Sequence, residues 1–66
     1  MSDKFLRIRA VTVLTGLSRT SIFRYERAGN FPRRRRLGTN AVAWLESEVR
    51  EWIGSRPIVA SETALG

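Results

Sequence analysis

The chain has 66 residues, with twelve Lys and Arg against six Asp and Glu (net charge +6) and neither His nor Cys. That length allows one domain with a modest core, and 42% hydrophobic content with two Trp, three Phe and one Tyr is enough to compact it. Without His and Cys the usual general base, soft metal ligands and thiol nucleophile are missing, so no enzyme, metal or other cofactor is expected; no apolar stretch reaches membrane-span length, and no signal-peptide pattern opens the chain.

Residues 1–5 read as a flexible terminus, and Phe5-Leu6-Arg7-Ile8, alternating imperfectly, as a short strand or extended lead-in. Ala10 to Thr15 is expected to form a first helix stopped by Gly16; its β-branched residues give weak intrinsic helicity, so tertiary packing must hold it. Ser18 suits an N-cap, and Leu17 with Ile22 has the spacing of a hydrophobic staple, which starts a second helix at Ser18. Gly29-Asn30 ends that helix, and Pro32 forbids its continuation while pushing Phe31 toward an extended conformation. Arg33-Arg34-Arg35-Arg36-Leu37, the turn signal Gly38-Thr39-Asn40 and the returning Ala41-Val42-Ala43-Trp44 read as a β-hairpin with a polar tip. Glu46 to Gly54 is the last helix: Glu46 and Glu48 suit its positive end, Ser47 is a candidate cap, and Val49, Trp52 and Ile53 form an apolar stripe. Trp44 and Trp52 are spaced to meet in one core with Leu14, Ile22, Leu37, Val42, Val49 and Ile53. From Pro57 onward periodicity is lost, so residues 57–66 read as a flexible tail and residues 6–56 as the domain.

On a helical wheel the second helix splits in two. Ser18, Ser21, Ile22, Tyr25, Ala28 and Gly29 form the side that packs, while Arg19, Thr20, Phe23, Arg24 and Arg27 form the other. A merely solvated face mixes signs, yet Glu26 is the only carboxylate between Lys4 and Leu45. Residues 1–45 carry ten cations against two carboxylates, and the remainder two against four. A basic body beside an acidic last helix is the footprint of a polyanion binder. Arg19, Thr20 and Arg24 are the candidate base readers, because recognition helices read with their N-terminal residues and Arg matches guanine O6 and N7. Ser18 with its neighbouring N–H groups, and Arg27 one turn on, are candidate phosphate contacts. In an extended strand only alternate members of the arginine run can face one phosphate row, either Arg34 and Arg36 or Arg33 and Arg35.

Val11, Thr15 to Arg24, Gly29, Phe31-Pro32, Leu37-Gly38, Val42, Trp44, Glu48-Val49 and Trp52-Ile53, taken in order and spacing, resemble the AlpA family of prophage transcriptional regulators. That family is similar to the small phage excisionases and to the DNA-binding head of MerR-type regulators, and the resemblance runs from Leu6 to about Gly54. It implies a mainly α fold with a small β-hairpin, a winged helix-turn-helix of three helices plus wing. The second helix then enters the major groove of double-stranded DNA, and the wing, Arg33 to Val42 with Thr39 and Asn40 at its tip, touches the adjacent minor groove or backbone. Two departures stand out. Asn40 replaces the basic residue common at the wing tip, and Phe23 replaces a frequent Tyr, losing a phosphate-binding hydroxyl and favouring a place beneath the wing.

The expected role is therefore a sequence-specific regulator in the cytoplasm, associated with the nucleoid, with RNA polymerase or an integrase as its protein partners and cooperative DNA binding a natural complement to so small a footprint. An excisionase-like factor that bends DNA and recruits a recombinase uses the same residues. A basic RNA-binding or protein-interaction module fits less well, because A-form major grooves are too narrow for such a helix.

Overall fold

The computed structural model describes residues 3–59. Its elements are β1 (Phe5–Leu6), α1 (Ile8–Thr15), α2 (Arg19–Arg27), β2 (Arg35–Gly38), β3 (Ala41–Leu45) and α3 (Glu46–Gly54). Helix α1 begins two residues earlier than its apolar run suggests. Arg7 is its extended cap residue, and the Val11 N–H already reaches the Arg7 carbonyl at 3.0 Å. Ile8 thereby joins Val11 and Leu14 on the buried side, giving this weakly helical segment the tertiary support it needs. Gly16 closes α1 in left-handed backbone (φ 76°), its N–H bonded to the Thr12 carbonyl at 2.8 Å. Leu17 and Ser18 then lead straight into α2.

The sheet is antiparallel, in the order β1-β3-β2. Strand β1 pairs Phe5 with Leu45 and Leu6 with Trp44. Strand β2 pairs Arg35 with Ala43 and Arg36 with Val42, and after an irregularity Gly38 with Ala41, around a turn at Thr39-Asn40. That irregularity overturns one core assignment. Leu37 falls at the register shift and is 45% exposed, because the bulge takes it off the ladder.

The core consists of Val11, Ile22, Phe31, Ala43, Trp44 and Val49, with Leu6, Ile8, Leu14, Leu17, Trp52 and Ile53 packed around it. The two tryptophans divide the work differently from expectation. Trp44 is fully buried and its indole N–H donates to the Pro32 carbonyl at 3.1 Å. Trp52 is only half-buried, donates to the Asn30 carbonyl at 2.6 Å, and packs edge-on against Phe31 with centroids 4.8 Å apart. Each indole thus holds one end of the Asn30-Phe31-Pro32 link. Phe31, next to its proline, joins the buried core and packs against Trp52 of α3.

The amino-terminal segment is tied down where a loose end was expected. The Asp3 carboxylate accepts from both the N–H and the hydroxyl of Ser47, and the Lys4 carbonyl accepts from the Glu46 N–H at 2.8 Å. These bonds satisfy free N–H groups in the first turn of α3, whose own cap residue, Leu45, has no side chain for the task. Ser47 is therefore the capped residue and not the cap. Met1, Ser2 and positions 60–66 of the expected tail lie outside the described residues; Pro57 to Val59 form no helix or strand.

Candidate nucleic-acid interface

Helix α2 is fixed at both ends by its own sequence. The Ser18 hydroxyl oxygen accepts from the Ser21 N–H at 3.1 Å, leaving the N–H groups of Arg19 and Thr20 free at the positive end of the helix. At the other end the Gly29 N–H bonds to the Glu26 carbonyl and the Asn30 N–H to the Tyr25 carbonyl, a Schellman closure made available by Gly29 at φ 82°. Ile22, fully buried, sets which way the helix faces. Arg19, Thr20, Phe23, Arg24 and Arg27 consequently all lie exposed on its outer side. The inner side is narrower than the wheel suggests, since Tyr25 is 39% exposed and rests at the edge against Trp52.

Charge on this outer side is uncompensated. The ion pairs among the described residues are Arg34–Glu26, Arg35–Glu48 and Arg50–Glu46, and none involves Arg19, Arg24 or Arg27. Phe23 lies at the border of the face. Its ring is tilted against Trp44 with centroids 6.1 Å apart, and the Arg34 guanidinium stands 5.3 Å from its centroid, so it packs under the base of the hairpin.

The arginine run is not a uniform row. Arg33 and Arg34 precede β2, and Arg35 and Arg36 lie on it, all four exposed. Simple alternation of the run fails because its first half is not strand and two members are held by carboxylates. Arg34 bonds Glu26 on α2 through both guanidinium and backbone N–H, the latter at 2.7 Å, and Arg35 meets Glu48 on α3 at 2.7 Å. Arg36 donates across the turn to the Thr39 carbonyl at 3.2 Å and has no carboxylate partner among the described residues. Thr39 and Asn40 are exposed at the tip. Sequence reasoning missed the Glu26 and Asp3 contacts. The available hint was that each is a rare carboxylate in a basic stretch. The Ser47 hydroxyl, with help from the backbone N–H groups of Ser47 and Lys4 and from the Arg35 charge, holds the Asp3 carboxyl below its ordinary range against a smaller opposing effect of desolvation.

Three short helices on a small antiparallel sheet, two of them joined through a glycine turn and one presenting free cations outward, fit a small helix-turn-helix fold. Among the described residues no helix is long and apolar enough to cross a membrane. The model of the AlpA family, described as the prophage CP4-57 regulatory protein (AlpA), matches residues 4–57. Among individual relatives, the uncharacterized protein ORF88 of Enterobacteria phage P4 is 46% identical over 54 residues, covering 82% of this chain and 61% of that protein. The DNA-binding transcriptional activator AlpA of Escherichia coli is 36% identical over 61 residues, covering 80% of this chain and 84% of its own length. No solved structure matches. The chain belongs to the AlpA family of prophage regulatory proteins.

Proposed function

We propose that the chain is a sequence-specific double-stranded DNA-binding transcriptional regulator, its α2 lying in a major groove and its β2–β3 hairpin serving as a wing on the adjacent minor groove or backbone. The observation that carries this reading is the outer side of α2, where Arg19, Arg24 and Arg27 are exposed with no carboxylate partner among the described residues. An exposed helix of this width matches a major groove, and Arg forks match guanine edges. Arg19, Thr20 and Arg24 read bases. Ser18 with the free N–H groups of Arg19 and Thr20, together with Arg27, holds phosphate. Thr39 and Asn40 supply neutral hydrogen bonds at the wing tip, and direct phosphate contacts from the arginine run contribute affinity more than specificity. Transcriptional control is favoured by the Escherichia coli relative, a DNA-binding transcriptional activator.

Selection from random duplexes, followed by affinity measurement across salt concentrations, tests the reading. About five or six phosphate contacts give a slope of log K against log salt near −5. A flat salt response, or equal affinity for selected and unrelated duplexes at moderate salt, refutes it.

A further inference from the structure

Glu26 is a carboxylate beside a surface that, on the reading above, meets a polyanion. Such a group repels phosphate unless its charge is engaged, and among the described residues it is engaged by Arg34. Glu26 is largely covered, its side chain retaining 11% exposure, and both oxygens serve Arg34: one accepts the backbone N–H at 2.7 Å and the other the guanidinium. The guanidinium in turn lies over the Phe23 ring, which abuts Trp44 in the core. Helix α2, the base of the hairpin and the core are thus linked through one set of contacts. One residue along, Arg35 is held by Glu48 from the opposite helix. The chain leading into β2 is therefore fastened to α2 at one residue and to α3 at the next.

We infer that Glu26 is a positioning residue that sets the wing relative to α2 through Arg34, and that the arginine run divides accordingly: Arg34 and Arg35 fasten the wing, while Arg33 and Arg36 meet phosphate. This rests on the DNA-binding reading, and it assigns the run differently from strand alternation. Both guanidinium groups of the fastening pair have carboxylate partners, whereas Arg33 has none among the described residues and Arg36 has only a neutral carbonyl. A guanidinium already neutralised by a carboxylate releases few counterions on reaching DNA, so the two classes separate by salt dependence.

The effect of Glu26→Gln on sequence preference separates a positioning carboxylate from a merely repelling one. Removing a repelling charge tightens binding to every duplex equally. Removing the fastening frees Arg34 for phosphate and loosens the wing. Affinity for a scrambled duplex then rises and its salt slope steepens by about one unit, while preference for a duplex selected by the wild-type chain falls about fivefold. Glu26→Gln combined with Arg34→Gln should lose no more preference than the worse single variant, because both break one contact. In parallel, Arg33→Gln and Arg36→Gln should each reduce the wild-type slope by about 0.9, and Arg35→Gln by clearly less.

An unchanged preference in a folded Glu26→Gln variant overturns the positioning role. Equal slope changes for Arg33, Arg35 and Arg36 overturn the division of the run, and that comparison stands even if Glu26→Gln fails to fold. If the wild-type chain itself selects no duplex, the DNA-binding reading fails instead, and that result is seen before any variant is made.

Discussion

Trp44→Phe isolates the joint on which the hairpin and the Asn30-Phe31-Pro32 link both depend. Trp44 is fully buried, so its replacement by Phe removes roughly 50 Å² of apolar area, worth about 1.3 kcal/mol at about 25 cal/mol per Å². The same change deletes the indole donor and leaves the Pro32 carbonyl short of its partner, adding about 1 kcal/mol. A loss near 2 kcal/mol in a domain of this size lowers Tm by roughly 8–16 °C. Thermal unfolding followed by circular dichroism reads the shift, and urea unfolding can follow the fluorescence of the remaining Trp52. Trp52→Phe is the control: its indole is half-exposed, so the loss should stay under about 1 kcal/mol. Equal losses for the two variants, or a Trp44→Phe protein within about 0.5 kcal/mol of wild type, would refute the assignment of Trp44 as the buried joint.

Ser18→Ala should cost about 1 kcal/mol in urea unfolding, and Ser18→Asp should keep most of that stability, because the requirement is an oxygen facing the Ser21 N–H. The Asp3 carboxyl lies below its unfolded value, so its contribution is present above about pH 4 and fades as pH drops through the folded value; NMR titration should find its midpoint below that of an ordinary Asp, and Asp3→Asn should lessen the fall of Tm in acid. A midpoint at or above the ordinary value contradicts the bond to Ser47. Arg19→Ala should relax sequence preference by about 1–3 kcal/mol at one base pair, whereas Arg27→Ala should weaken all duplexes alike and flatten the salt slope by about one unit. Selection with each variant separates these outcomes, and matching profiles refute the division of labour along α2.

What was legible in the sequence is what short-range chemistry decides. Gly16, Ser18 and Gly29 each control backbone within a few residues, so α2 and both its ends follow from composition alone. The i, i+3, i+4 pattern at Val49, Trp52 and Ile53 likewise fixes α3 at Glu46–Gly54. The errors arise where partners are distant. Asp3 finds Ser47 across 44 positions, and Glu26 finds Arg34 across eight, spacings to which no local rule applies. Leu37 looks like core by hydropathy, but a bulge takes it out, and a bulge has no signature in four arginines and a leucine. At the candidate interface the outward face of α2 is readable from periodicity. The state of each arginine is not, because it depends on which carboxylate folds against it.

The bond from Asp3 to Ser47 also constrains how the domain is made. The residues that close the first turn of α3 are made more than forty residues before what they close. Strand β1 has the same wait, since its ladder partners are Trp44 and Leu45. Helices α1 and α2 can pair as they emerge, but the sheet and the α3 start must wait until residues 44–47 are available. The contact that completes the sheet therefore joins two stretches distant in sequence and adjacent in space.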